Sequence, residues 1–207
     1  MAKMSSKDQE TPNALAALIE RAAGDRNAGS DGLPPVHLWN PPDCGDIDMQ
    51  IKADGTWFYM GTPIGRMPLV RLFSTVLRKD DDGQTYLVTP VEKIIVHVED
   101  APFVAVEMTR SDKDGEQKLT FRTNVGDVVT VGDENPLRFV IAGEQEQLKP
   151  YILVRGRLEA LVNRAVTYDL LALGEEVEID GEAMYAVRSG GEIFPVMSMA
   201  ELESGIK

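Results

Sequence analysis

Apolar and polar residues alternate along much of the chain, which is the pattern of β-strands with one buried face. In "DIDMQI" the residues Ile47, Met49 and Ile51 alternate with polar neighbours, and apolar residues return in "TWFYM". The dipeptide Asp54–Gly55 stands between the two stretches and is typical of a two-residue hairpin turn. This part of the chain therefore predicts a β-hairpin.

Further alternating stretches follow between residues 80 and 142. "KIIVHV" and "PFVAVEM" flank the turn signal "EDAP", and "KLTFRTNV" and "DVVTV" follow after "DKDG". Strands separated by such short turns pair with their neighbours in sequence. We expect an antiparallel meander here.

Two segments instead show the period of a helix. The first prediction is a helix over 65–79, with Pro68 at its first position and Met67, which lacks a side-chain acceptor, as N-cap. The second is a helix over 156–172. The residues expected to be buried on these helices are Leu69, Leu72, Phe73, Val76, Leu158, Leu161 and Val162.

These elements predict an α+β protein with two β-rich halves, each containing an antiparallel sheet and one main helix. A hairpin, a proline and an apolar helix occur in this order at 47–79 and again at 119–172, which suggests a duplicated motif. We place an N-terminal helix, "TPNALAALIERAA", and a linker in 1–33, the first half in 34–90 and the second in 91–207.

Composition narrows the function classes. The 207 residues carry a formal net charge of -13, which argues against general nucleic-acid binding. No apolar run has the length of a membrane span and no signal peptide is visible, so we expect a cytoplasmic protein. Cys44, His37 and His97 are too few for a zinc site, and no base is ordered beside Cys44, so we expect it to be structural. We expect no catalytic residue, no metal and no cofactor.

Charge distribution gives the candidate binding residues. No acid occurs after Asp54 as far as Lys79, and Arg66 directly precedes the predicted helix with its free amide groups. Thr62 adds a hydroxyl group, whereas Arg71 and Arg78 are expected on the solvent face. The alternative, that the glycines and prolines of this run only shape a turn, stays open.

Two other segments complete the candidate set. The acid-free run from Gln147 to Leu158 places Arg155 before Gly156, at an expected strand-to-helix junction. "LVTPVEK" offers Thr89, Glu92 and Lys93, with a plain edge-strand ion pair as the alternative. The candidate ligand-binding residues are Thr62, Arg66, Thr89, Glu92, Lys93 and Arg155.

The chain resembles the bacterial domain-of-unknown-function family 1285. The resemblance rests on "WNPPDCGDIDMQIKADGTWFYMGTPIGRMPLVRLFSTVLRK", "LVTPVEKIIVHVEDAPF", "NPLRF" and "YILVRGRLEALVNR", which occur in the family's order over about residues 34–172. It implies two β-rich halves with repeated motifs, of which the C-terminal half is similar to a pleckstrin-homology domain. It also implies a cleft for a nucleotide-like ligand and a role in signal transduction.

Three functions therefore compete. The favoured one is a cytoplasmic, non-catalytic protein that binds a small anionic, nucleotide-like ligand in the cleft between the halves. The second is a hydrolase-type enzyme that uses a carboxylate, Glu92 or Asp100, with Arg66. The third is a protein–protein interaction module.

Overall fold

The computed structural model describes residues 32–113, 115–142 and 147–204, so the predicted N-terminal helix lies outside the described residues. The described chain is mainly β-structure with short helices. It forms two compact units. The first consists of the residues up to Asp100 and also includes Gly156–Leu158. The second consists of Ala101–Arg155 and the residues from Glu159 onwards. The division thus falls ten residues after the boundary at 90 that the sequence suggested.

The first unit contains a six-stranded sheet in the order β3-β2-β1-β6-β5-β4. Its strands are β1 (Asp43–Ile51), β2 (Trp57–Tyr59), β3 (Thr62–Pro63), β4 (Leu77–Lys79), β5 (Thr85–Val88) and β6 (Lys93–Val98). Neighbouring strands are antiparallel except β1 and β6, which run parallel in the middle of the sheet. A 3-10 helical turn, Val36–Leu38, precedes the sheet.

The predicted hairpin is present between β1 and β2. Its turn has three residues, 53–55, rather than the two predicted, because the Lys52 amide donates to the Thr56 carbonyl at 2.9 Å and the Gly55 amide donates to the Lys52 carbonyl at 2.8 Å. Gly55 has a positive φ of 83°, as the last residue of such a turn requires. The Asp54 carboxylate accepts a hydrogen bond from the Thr56 amide at 2.8 Å, which also stabilises the turn.

Helix α1, Met67–Ser74, is shorter than the predicted helix over 65–79. The hydroxyl groups of Ser74 and Thr75 donate to the carbonyls of Arg71 and Leu72, at 2.8 and 2.7 Å, in its last turn. Such side chains compete for helix carbonyls and weaken further helix growth. The chain then enters β4, so the predicted helical stripe is divided between two elements.

Burial on α1 also differs from the prediction. Phe73 and, just after the helix, Val76 are buried as expected, but Leu69 and Leu72 are only half-buried and Val70 is buried in their place. Phe73 packs on Trp57 of β2, with ring centroids 6.2 Å apart. This contact fastens α1 to the sheet of the first unit.

The second unit contains another six-stranded sheet, in the order β10-β11-β12-β7-β8-β9. Its strands are β7 (Phe103–Lys113), β8 (Glu116–Thr123), β9 (Val128–Thr130), β10 (Leu137–Ala142), β11 (Gln147–Arg155) and β12 (Leu158–Val162). The parallel pair is β7 with β12. A three-stranded antiparallel sheet follows, made of β13 (Glu175–Ile179), β14 (Glu182–Ser189) and β15 (Glu192–Ser198), and then helix α3 (Met199–Ser204).

The predicted helix over 156–172 is wrong in its first half. Gly156 turns the chain with a φ of 54°, and β12 then buries Leu158, Ala160 and Val162 at a period of two, leaving Leu161 half-buried. Helix α2, Arg164–Leu171, begins only after Asn163, whose side chain accepts the Val166 amide at 2.9 Å. An asparagine cap of this kind is a strong start signal.

The two six-stranded sheets share one topology. In each, the first three strands form a meander, the last three form a second meander, and the first strand pairs in parallel with the sixth. The repeated unit is therefore β1–β6 against β7–β12, rather than residues 47–79 against 119–172. The helices are not equivalent, because α1 lies between the third and fourth strands whereas α2 follows the sixth.

The third sheet is fastened to the second through a buried serine. The Ser189 hydroxyl, which is 1% exposed, accepts the Leu119 amide at 3.0 Å and donates to the Val131 carbonyl at 2.9 Å. Gly190 follows it and donates its amide to the Gln117 carbonyl at 2.9 Å. These bonds satisfy backbone groups of both sheets within the second unit.

Candidate functional site

The acid-free segment of the first unit is exposed to solvent. Thr62 lies in the edge strand β3, and Arg66 is the N-cap residue of α1 without a side-chain cap hydrogen bond. Among the described residues, no carboxylate lies within ion-pair distance of Arg66. Arg66 is therefore exposed to solvent, and its predicted contact with a ligand anion stays a prediction.

Thr89, Glu92 and Lys93 meet at the turn between β5 and β6. The Thr89 hydroxyl, on a residue only 1% exposed, accepts the amides of Val91 and Glu92 at 3.3 and 3.1 Å. It also donates to the Glu92 carbonyl at 3.2 Å. Thr89 shapes this turn from within, because its hydroxyl is occupied by backbone groups.

Lys93 belongs to a cluster of three charges. Its ammonium lies 3.2 Å from the Asp80 carboxylate and 4.1 Å from the centre of the Tyr86 ring. Arg78 approaches the same carboxylate with two nitrogens, at 2.5 and 3.1 Å. Hydrogen bonding by Arg78, followed by that of Lys93, holds the pKa of Asp80 below its ordinary value.

The expectation that Arg78 is solvated surface is wrong. Arg78 lies in β4, has only 20% of its side chain exposed, and donates through one terminal nitrogen to the carbonyls of Val36 and Trp39, both at 2.7 Å. It thus ties the 3-10 helical turn and the residue after it to the edge of the sheet. The reason for the difference is that α1 ends before Arg78.

Two of the candidate binding residues in the first unit, Thr62 and Lys93, lie on different strands of the sheet. Strands β2 and β1 lie between β3, which carries Thr62, and β6, which begins at Lys93. Three strand spacings of about 4.8 Å therefore separate the two strands by about 14 Å. Thr62 and Lys93 therefore lie on strands that are not neighbours in this sheet.

Arg155 lies in the second unit and is already engaged. One terminal nitrogen lies 2.7 Å from the Asp127 carboxylate, and the guanidinium stands 4.8 Å from the centre of the buried Phe103 ring. Its side chain is 21% exposed. Arg155 connects the end of β11 with the turn between β8 and β9.

Cys44 lies in β1, and His97 lies in β6, which is the parallel neighbour of β1 in the sheet. The His97 ring nitrogen Nε2 is 2.6 Å from the Asp46 carboxylate, so this histidine forms a hydrogen bond with an acidic side chain. This hydrogen bond, followed by that from the Asp48 amide, lowers the pKa of Asp46.

A groove of about 470 Å³ lies in the second unit, beside α2. Strands β11 and β12 and helix α2 supply its lining, which consists of Gln147, Leu148, Lys149, Leu161, Val162, Arg164, Thr167, Tyr168 and Leu171. Two lining residues are basic and, among the described residues, none is acidic. The volume falls within the range of small-molecule sites.

Arg164 and Tyr168 form the polar rim of this groove. Two guanidinium nitrogens of Arg164 lie 3.3 and 3.2 Å from the Tyr168 hydroxyl, one helical turn away. The guanidinium is also 5.8 Å from the centre of the same ring. Tyr168 is 61% exposed, so one aromatic face remains accessible beside a fixed positive charge.

Helix α2 is held in place at its far end by the third sheet. The Tyr185 hydroxyl of β14 donates a short hydrogen bond to the Leu171 carbonyl. A methyl group on Gly174 would overlap the Tyr185 ring. Gly174 is therefore required for the ring to reach the helix end, and the groove wall depends on it.

Sequence reasoning did not identify Arg164 and Tyr168 as site residues. The available signal was the asparagine cap, since a helix that begins at Arg164 places the two residues on one face at i and i+4. Lys149 lay within the second acid-free run but was not selected.

A smaller cavity of about 260 Å³ is lined by two acidic residues and one basic residue. Glu116, Gln117, Glu175 and Arg188 contribute to it, and Arg188 forms an ion pair with Glu175. Because this positive charge already has its carboxylate, the groove beside α2 is the better candidate for an anion.

Within residues 32–113, 115–142 and 147–204, no three histidine, cysteine or acidic side chains converge as a metal-binding group. None of the helices in these ranges is long and apolar enough to cross a membrane.

Fold and groove define a mainly β protein of two units, each built on a six-stranded sheet whose first and sixth strands pair in parallel at its centre. Residues 34–101 match the family model described as "Domain of unknown function (DUF1285), N-terminal domain". Residues 102–196 match the model of the C-terminal domain of the same family. The chain belongs to the DUF1285 family. The two matches meet where the two units divide.

A solved structure of a relative agrees with this assignment. A DUF1285 family protein from Silicibacter pomeroyi DSS-3 is 46% identical, with a TM-score of 0.76 over 89% of this chain and 97% of that one. A second, from Shewanella baltica OS155, is 27% identical, with a TM-score of 0.47 over 60% of this chain and 90% of that one. No curated protein matches the chain.

Proposed function

We propose that the chain is a non-catalytic binding protein for a small organic anion, and that the groove beside α2 holds it. The observation that supports this is a basic lining in a chain with a net charge of -13. Such a chain repels anions in general, so binding depends on a local positive site. Lys149 and Arg164 supply that site in the described lining.

The groove offers two kinds of contact. Arg164 is pre-oriented by the Tyr168 hydroxyl and is suited to a forked contact with a carboxylate or phosphate. Leu148, Leu161 and Leu171 give an apolar floor for the rest of the molecule. An anion with a flat or apolar body satisfies both, and the exposed Tyr168 ring gives a flat body a stacking face.

Finer features of the earlier expectation stay predictions. These are a nucleotide-like ligand, a role in signal transduction, a cytoplasmic location and a pleckstrin-homology likeness of the second half. Thr62 and Arg66 stay predicted ligand contacts in the first unit. The alternative of a hydrolase that pairs Glu92 or Asp100 with Arg66 also stays a prediction.

The test is a thermal-shift screen against phosphate, adenosine monophosphate and aromatic carboxylates. A ligand present at 100 times its Kd adds about 2.7 kcal/mol of stability, which is readily measured. Titration calorimetry then gives Kd for the best compound. We expect affinity to fall as salt rises, because the contact is electrostatic and partly exposed.

Substitution locates the site. Arg164→Ala should weaken binding by about 10- to 100-fold, the equivalent of 1.5–3 kcal/mol for a hydrogen bond to a charged group. Arg110→Ala is the matched control, since Arg110 lies in β7, is 49% exposed and is absent from the groove lining. Equal losses from both variants, or no shift from any compound, would refute the proposal.

A further inference from the structure

A two-residue turn in the first unit carries an unsuitable residue. Tyr59 and Thr62 pair across the β2–β3 hairpin, which leaves Met60 and Gly61 as the turn residues, with φ of 46° and 72°. Two positive φ angles are the mark of a type I′ turn, for which Asn-Gly is the preferred sequence. Methionine has no short polar group to bond its own backbone in this left-handed region.

The core does not explain this residue either. Met60 is 58% exposed, and its backbone amide is held by the Asp48 carbonyl at 3.0 Å whatever its side chain. Backbone geometry and solvent exposure both favour asparagine here. A large apolar side chain that serves neither the turn nor the core points to contact with another molecule.

The segment that follows has the composition of an interface. Pro63 is exposed, Met67 is 44% exposed and Arg66 is exposed with no ion pair among the described residues. Methionine and arginine are enriched at protein interfaces, and methionine adapts its shape to different apolar partners. The sequence from Gly55 to Lys79 contains no acid.

We propose that residues 60–68 form a docking surface for an acidic protein segment with apolar anchors. Met60 and Met67 would receive the apolar side chains, and Arg66 would pair with a carboxylate. Charge decides the class of partner, because two exposed arginines, Arg66 and Arg71, are too few for a nucleic acid or an anionic membrane surface. Pro63 lacks an amide and β3 has two residues, so the partner docks through side chains rather than as an added strand.

The first test measures stability. Met60→Asn should raise Tm by about 2–4 °C, because the variant relieves an unfavourable turn residue in a chain of this size. Val128→Asn, another exposed apolar residue (67%) in a strand of the second unit, is the control and should not raise it. An unchanged or lower Tm for Met60→Asn would show that methionine serves the fold, which overturns the inference.

The second test measures binding on the whole chain. The probe is a labelled peptide of about 15 residues with glutamate and leucine at helical spacing, compared with its glutamine counterpart by fluorescence anisotropy. The glutamate peptide should bind more tightly, and Met60→Asn and Arg66→Ala should each weaken it at least fivefold. Arg110→Ala and Val128→Asn should not. Absence of binding, or equal losses in the controls, overturns the proposal.

Analytical sedimentation at rising protein concentration tests whether a second copy of this chain occupies the surface instead. A dimer that Met60→Asn abolishes would assign the surface to a second copy of this chain, and would overturn the proposal of an acidic partner. A monomer that binds the glutamate peptide supports it.

Discussion

At the scale of single residues, the basic side chains divide into those that hold the fold and those available to a partner. Arg78 and Arg155 each form an ion pair with a carboxylate, and their side chains are mostly buried. Arg66 and Arg164 are exposed without a carboxylate among the described residues. The two sites proposed above therefore depend on Arg66 and Arg164.

Arg78→Ala should destabilise the first unit. The substitution removes the hydrogen bonds to Asp80 and to two backbone carbonyls, and we expect a loss of about 1.5–3 kcal/mol. Urea unfolding followed by tryptophan fluorescence measures it, because Trp39 and Trp57 both lie in the first unit. Arg71→Ala, an exposed arginine of α1, is the control and should stay within about 0.5 kcal/mol.

Asp80 gives the same unit a defined pH dependence. Its pKa is lowered in the folded state, chiefly by Arg78, so its contribution is complete above the unfolded pKa of about 3.9. The contribution is lost as the pH falls through the lower folded value. Asp80→Asn should therefore destabilise the unit at pH 6, and the difference from wild type should shrink below about pH 4. A difference that stays constant between pH 6 and pH 3 would contradict this.

The sequence identified part of the candidate chemistry. The position of Arg66 directly before a helix could be predicted, since charge, proline and helical period are all local signals. Its role in ligand binding stays a prediction. The partner of Arg155 is Asp127, which lies 28 positions earlier and meets it only through sheet pairing. Such contacts cannot be read from one sequence, and the same holds for Arg78 and the backbone around Trp39.

At the scale of elements, both predicted helices began or ended at the wrong place for one reason. Around Leu158, apolar residues fit a helical stripe and a strand alternation equally well. Parallel pairing of Ala160 with Phe103, 57 positions earlier, decides in favour of the strand. Hairpins such as β1–β2 were predictable because their decisive contacts are only a few residues apart.

Helix α2 should depend on a glycine that lies outside it. Gly174→Ala forces a methyl group against the Tyr185 ring, and we expect a loss of about 1–3 kcal/mol from this overpacking. Thermal unfolding followed by circular dichroism measures the loss. Gly132→Ala is the control, because a methyl group there meets no atom within 4 Å.

The same substitution should weaken anion binding in the groove, since α2 forms one wall of it. Tyr185→Phe removes only the hydrogen bond to Leu171 and should have a smaller effect on both properties, about 0.5–1.5 kcal/mol in stability. An equal loss in Gly132→Ala would show that backbone stiffening, rather than the ring contact, is responsible.

At the scale of the whole molecule, the shared topology predicts a pattern of amide protection. Amides of β1, β6, β7 and β12 lie in the middle of their sheets, whereas β3, β4, β9 and β10 lie at the edges. Local opening is rarest where strands are paired on both sides. Hydrogen exchange followed by mass spectrometry should show the slowest exchange in the four central strands, and equal rates in edge and centre would contradict it.

The parallel pairing of first and last strands has a consequence for synthesis on the ribosome. The chain emerges from its N-terminus, so β1 leaves the exit tunnel roughly 50 residues before its central neighbour β6. At 5–20 residues per second this interval lasts about 2–10 s. Throughout it, one side of β1 displays unpaired amides and carbonyls that other chains can join. β7 waits in the same way for β12, so each nascent unit requires protection until its final strand has been made.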